Sequence, residues 1–363
     1  MAVEFKCPSC SGDLRVKPGE KTTSCPYCGS SVLVPEDLRE AAPVTVTVTG
    51  AGRPARKILA CSVLAAVMLT GGAALLVFVM AGSTGKPGSV DGSRAGEVLL
   101  RFGSEGTGAG SFTDPRHVAV DGSGSIYVAE YGSGRVQVFG PDGTYLRQWF
   151  LRSGPEDVYV SGMDASADGR LYVCSRGRAL VFDGETGEEL GSLLPVTGQQ
   201  DVYLPGDGGI LLSVWTGGDE VYRLDEDGSV SLHLVSPVQG VSGDPELSPM
   251  IAGDGMGGIY VLGVFNSAVF VYDREGTYTL RFGSAGQEPG QFTAPSDIAV
   301  DPAGRIYVPD LHGLQVFDGT GRHLGTVDVP SEGFVYGMDV TPEGNLCLVT
   351  GAPEVLVIPP FRE

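Results

Sequence analysis

With 44 Asp or Glu against 24 Lys or Arg, the 363-residue chain carries a net charge of −20 and is long enough for more than one domain. The imbalance is uneven: residues 1–57 hold 8 basic and 6 acidic side chains, and residues 58–363 hold 16 and 38. A C-terminal part that acidic is a poor binder of nucleic acid or anionic lipid, both polyanions.

Four of the seven cysteines fall in the first 28 residues. They form two pairs, Cys7-Pro-Ser-Cys10 and Cys25-Pro-Tyr-Cys28, with 14 residues between. Each pair can place two sulfurs on one side of a tight turn, and two facing turns complete the tetrahedron of thiolates that a closed zinc site uses. Thr22, Thr23 and the run Ser31 to Val34 read as short strands carrying the second turn. Residues 1–34 resemble the zinc-ribbon family over the whole module CPSC…CPYCG. The resemblance implies a fold stabilised by one structural Zn²⁺. Four cysteine ligands leave no open position for catalysis. Some zinc ribbons bind nucleic acid, but Lys6, Arg15, Lys17 and Lys21 are offset by Glu4, Asp13 and Glu20, so the module is expected to dock a cytosolic protein.

Residues 35–57 read as a cytosolic linker. Ile58 to Met80 follows as an uncharged run, ILACSVLAAVMLTGGAALLVFVM. As a helix it would be about 34 Å long, enough to cross a hydrocarbon core. A buried core helix is the competing reading, but a run apolar on every face fits lipid better. Arg53, Arg56 and Lys57 precede the run directly, and Lys86 and Arg94 are the basic residues of the external linker over 81–96. The bias places the N-terminus in the cytosol and the C-terminal part beyond a plasma membrane. Ser62, Ala66, Thr70 and Ala74 make one small-residue ridge that would let two spans pack as a dimer.

Residues 97–363 repeat. Arg101-Phe-Gly-Ser recurs as Arg281-Phe-Gly-Ser, Ala119-Val-Asp121 as Ala299-Val-Asp301, and Ile126-Tyr-Val128 as Ile306-Tyr-Val308, each offset by 180. Weaker copies near Leu171, Ile210, Ile259 and Leu346 give successive spacings of 45, 39, 49, 47 and 40, the length of a four-stranded propeller blade. The sixth unit ends without a fourth strand, and residues 97–103 match the fourth strand at residues 277–283. The expected fold is therefore all-β, a six-bladed β-propeller whose first strand closes the last blade, joined to a small zinc ribbon and one transmembrane helix. The pattern RFGSxG…GxFxxP…AVDxxGxIYV…VxVF resembles the NHL-repeat family of β-propellers, closely in blades 1 and 5 and loosely in blades 2, 3 and 6. That resemblance implies a surface for protein or ligand recognition. It also brings in enzymatic relatives, the peptidylglycine amidating lyases and gluconolactonase-like propellers, which use metal in the central channel.

Propeller geometry restricts the candidate sites. The inner strand of each blade starts at the face that also carries the turn between the second and third strands. On this loop face fall Tyr131, Trp215, Phe265, Leu311 and His312, an expected contact patch for a protein or ligand partner. Phe112 and Phe292 are expected to pack beneath their own loops. His117 aligns with Gly162, Asp201, Met250, Asp297 and Gly337, so His117, Asp201 and Asp297 stand at one level of the ring, with Asp164 and Asp339 two residues deeper. Such a set could hold a divalent cation, the alternative being polar residues that cap strand starts. The metal-dependent lyases need several channel histidines, and His233, His312 and His323 fall elsewhere. With no GxSxG and no Cys–His arrangement, a binding protein is expected; a lyase or lactonase-like enzyme using the channel is the alternative.

Overall fold

A computed structural model describes residues 97–151 and 158–362, together with the strands Val3–Lys6, Asp13–Val16, Thr22–Ser24, Ser31–Leu33 and Arg94–Ala95. Two units are distinguished, Met1–Gly82 and Ser83–Glu363. In the first, Val3–Lys6 pairs antiparallel with Asp13–Val16, and Thr22–Ser24 with Ser31–Leu33. The sequence between the strands of each hairpin carries one cysteine pair. The cysteines themselves, Cys7, Cys10, Cys25 and Cys28, lie outside the described residues, as does the expected span Ile58–Met80 with its small-residue ridge. Among the described residues, no helix is long and apolar enough to cross a membrane.

The second unit is a ring of six antiparallel sheets. In blade 1 the strands run Pro115–Val120, Ile126–Glu130, Arg135–Phe139 and Tyr145–Phe150, from the channel outward. The second and third strands are buried along their whole length, whereas the outer strand alternates half-buried and exposed. This is the burial expected of strands flanked on both faces by neighbouring blades, with an edge strand wet on one face. Leu100–Phe102 pairs with Glu354–Ile358 and completes blade 6, as the repeat offset required. Blade 5 has an addition the repeat does not show: Arg94–Ala95 adds a fifth, parallel strand to His323–Asp328. A two-residue strand in a Gly/Ser-rich stretch has no periodicity that would reveal it.

Six apolar clusters fill the six junctions between neighbouring blades. Phe112, Phe139, Val349 and Val355 seal blade 6 against blade 1, and Met163, Val173, Val138 and Tyr127 seal blade 1 against blade 2. Equivalent clusters occupy the other four junctions. Phe112 and Phe292 are 0% and 1% exposed, packed under their loops as expected. The glycine of each RFGS motif makes this possible. Gly103 and Gly283 have φ of +97° and +85°, and an added Cβ would lie 2.6 and 2.3 Å from the rings of Phe112 and Phe292.

The repeated Asp and Tyr of AVDxxGxIYV also have a mechanical explanation. Asp121 Oδ1 accepts the amides of Ser123 and Ser125 at 2.8 and 3.0 Å, and Oδ2 accepts the Tyr127 hydroxyl at 3.0 Å. Asp254 with Tyr260 and Asp301 with Tyr307 repeat the arrangement. Each such turn faces away from the loop face and fixes the register of the first two strands.

Candidate functional site

The channel is lined as the alignment of inner strands predicted. His117, Asp164, Asp201, Asp297 and Asp339 surround one small cavity of about 30 Å³, with Met250 and Gly337 at the level of His117. That volume admits a water or two.

The polar atoms of these side chains have a shared assignment that sequence reading missed. Asp164 accepts the amide of Ala165 at 2.6 Å with one oxygen and that of Leu204, in the next blade, at 2.6 Å with the other. Asp201 does the same with Val202 and Ile251, both at 2.9 Å. Asp297 takes Ile298 at 2.8 Å and Met338 at 2.7 Å, and Asp339 takes Val340 and Val120, both at 2.6 Å. His117 Nε2 donates to the Val160 carbonyl of blade 2 at 3.0 Å, which fixes the proton on that nitrogen. Each side chain thus ties its inner strand to the backbone of the next. The junctions 1–2, 2–3, 3–4, 5–6 and 6–1 are tied this way; between blades 4 and 5 the position is Met250.

For the four aspartates, the alternative of polar residues capping their own strands describes one oxygen, the other being the bridge to the next blade. Among the described residues no group of three His, Cys, Asp or Glu side chains is placed as a metal ion would require. Burial pushes the carboxyls of Asp201 and Asp339 up to about 7 against the help of their amide donors. Asp164 and Asp297 are also raised, by burial first and by neighbouring carboxylates second. Burial, reinforced by the positive charge of Arg116 and opposed by the Val160 carbonyl, lowers His117 to about 4, so it is neutral at physiological pH. Cys174 and Cys347 are buried free thiols whose ionisation burial suppresses, which argues against nucleophilic roles.

The loop face is built differently. In blades 1 and 5 its long loops are anchored from within. Gln137 accepts the Gly110 amide at 2.9 Å and donates to Ser111 at 2.8 Å, while Glu130 accepts the Thr113 amide at 2.7 Å. A buried Arg135–Glu130 pair at 2.7 Å also ties the Thr107–Ser111 segment down. Gln315 and Asp310 repeat the device in blade 5. The two glutamines recur in sequence within Gln137-Val-Phe139 and Gln315-Val-Phe317, but only the fold shows what they hold.

Of the residues expected on this face, Trp215 is 40% and Leu311 54% exposed. His312 is exposed, with Nε2 3.2 Å from Thr293 Oγ1. Phe265 is half-buried against the core between blades 4 and 5, its amide held by Glu246. Tyr131 is half-buried too, because Arg116 lies over its ring at 4.4 Å and Tyr159 stands 5.3 Å away. Val241 and Leu247, in the segment Ser236 to Pro249 that the sequence also places on this face, and Tyr159, which was not singled out, add exposed apolar surface here; Met256 is an exposed apolar side chain on the opposite face.

Comparison with known proteins agrees with this architecture. Residues 254–342 match the family described as a six-bladed β-propeller, and residues 112–139 match the NHL repeat. NHL repeat-containing protein 3 of Homo sapiens is 38% identical over 65 residues, 17% of this chain and 19% of that protein. Its Mus musculus counterpart is 28% identical over 259 residues, 67% of this chain and 65% of that protein. The match thus spans less than two thirds of either relative's own length. Among solved structures, a gluconolactonase from Xanthomonas campestris superposes with a TM-score of 0.53 at 19% identity, covering 68% of this chain and 86% of that one. At that identity the likeness is one of fold.

Proposed function

We propose that this NHL-repeat propeller is the extracytoplasmic recognition domain of a single-pass membrane protein, and that it binds a protein partner on its loop face. The observation that carries this reading is the division of labour within the ring. The channel's ionisable side chains are engaged in joining blades, while apolar side chains such as Trp215, Leu311 and Tyr159 stand exposed on the loop face above anchored loops. Exposed aromatics on a rigid frame are what an interface hot spot requires. The membrane assignment rests on the uncharged run Ile58–Met80 and its basic N-terminal flank, and the cytosolic zinc ribbon rests on the two CxxC pairs.

Two measurements test these parts. When the full-length protein is used to retain its partner, Trp215→Ala and Leu311→Ala together should lower retention at least severalfold, since a hot-spot aromatic contributes about 2 kcal/mol. The opposite-face variant Met256→Ala should leave retention unchanged; loss with that variant alone would contradict the reading. Elemental analysis of the purified protein should find one zinc per chain, removed by Cys10→Ser with Cys28→Ser. A chain free of stoichiometric zinc would refute the ribbon.

A further inference from the structure

At the mouth of the channel the guanidinium of Arg116 lies over two aromatic rings. Its carbon lies 4.4 Å from the centroid of Tyr131 and 4.9 Å from that of Tyr336. The row continues on both sides, with Tyr159 at 5.3 Å from Tyr131 and Phe334 at 5.5 Å from Tyr336. Blades 6, 1 and 2 therefore contribute to one aromatic cluster of tilted and edge-on rings: Phe334 and Tyr336 at the start of the last inner strand, Arg116 in the first, and Tyr159 beside the second. Tyr131 is fixed in its turn by backbone bonds to Asp114 at 2.9 Å and Val160 at 3.3 Å.

The chemistry left open by this cluster is narrow. Tyr131 and Tyr336 crowd the guanidinium carbon at 4.4 and 4.9 Å, which narrows the directions from which a ligand can reach it. Arg116 Nε already donates to Asp114 Oδ1 at 2.9 Å. The terminal nitrogens Nη1 and Nη2 have no hydrogen-bond or ion-pair partner among the described residues. The terminal nitrogens of a guanidinium carry two parallel N–H groups that match one carboxylate, taken in a bidentate manner. The Arg116 side chain is only 22% exposed, so the acceptor must arrive on a slender chain end rather than on a broad folded surface. Residues 58–363 hold 16 basic and 38 acidic side chains, a field that draws basic segments and repels polyanions. A single carboxylate at the end of an otherwise basic chain satisfies both conditions.

We infer that the Arg116 fork, beside Tyr131 and Tyr336, binds the C-terminal carboxylate of a basic peptide segment of the partner. The inference rests on the loop-face reading and names the chemistry that part of the face would select.

The test uses the full-length protein and a pool of random basic hexapeptides prepared in two forms, one ending in a free carboxylate and one in a carboxamide. Retained peptides are counted by mass spectrometry. Wild type should retain the free-acid form about tenfold more, the scale of a charge-assisted pair. Arg116→Gln should abolish the preference. Arg116→Lys, which keeps the charge and loses the fork, should keep only a small part of it; its thermal unfolding, together with that of Arg116→Gln, establishes that the variants are folded. Equal retention of the two forms by wild type, or a preference that persists in both variants, would overturn the inference. If wild type retains both forms equally and Trp215→Ala removes that retention, the carboxylate site fails while the loop-face reading stands. If wild type prefers the free acid and the preference depends on Arg116, the site holds even where Trp215→Ala has no effect.

Discussion

Replacing Asp201 with alanine is expected to lower the unfolding free energy by about 2–5 kcal/mol. Both oxygens of this 6% exposed side chain accept backbone amides, one from its own strand and one from Ile251 in the next blade. Alanine leaves two enclosed N–H groups without acceptors, at about 1–3 kcal/mol each. Removing a carboxyl that burial already disfavours offsets part of that. Asp168→Ala, whose side chain is 64% exposed on a turn, should change stability by no more than about 0.5 kcal/mol. Denaturant titration of the two variants checks the contrast, and equal effects would remove the inter-blade tie from the account.

Stability should also fall as pH rises through neutrality. The carboxyls of Asp201 and Asp339 are raised from 3.8 to about 7 in the folded ring. The folded state therefore binds more protons than the unfolded one between those values. The stabilisation is complete below the unfolded value and is lost as pH rises through about 7. Asp164 and Asp297 are shifted in the same direction. His117, lowered from 6.5 to about 4, contributes with the opposite sign, but only below 6.5. From pH 6.5 to about 8 the carboxyls act alone among these channel groups, at about 1 kcal/mol for Asp201. The melting temperature of wild type should drop across that interval, and Asp201→Asn, which cannot titrate there, should drop less. A rise, or an equal drop in the variant, would contradict the assignment.

The ring itself was legible because it repeats. An offset of 180 between two well-preserved blades fixed the strand order, and the unpaired match at residues 97–103 fixed the closure now formed by Leu100–Phe102 and Glu354–Ile358. The level of His117, Asp201 and Asp297 was legible for the same reason. Their chemistry was not. Four of six inner strands carry an aspartate followed by an apolar or small residue, as in Asp201-Val202 and Asp297-Ile298, and such recurrence points to a structural role shared by blades rather than to one site. Only the inter-blade distances show which amides the second oxygens reach. The Arg116 cluster was hidden because Tyr131 and Tyr336 are far apart in sequence and come from unlike blades, one regular and one degenerate. Phe265 was placed correctly on its turn, but burial against the blade 4–5 core depends on the Glu246 loop, whose path no repeat specifies.

The central claim is that the loop face, and not the turn face or the channel interior, meets the partner. Photo-cross-linking from single positions of the full-length protein in intact cells tests it most directly, with a benzophenone side chain placed at Trp215, at Leu311 or at Met256 in turn. All three positions are exposed, at 40%, 54% and 82%, so accessibility alone favours Met256. The account predicts a common protein adduct from Trp215 and Leu311 and none from Met256. An adduct from Met256 with none from the other two would contradict it.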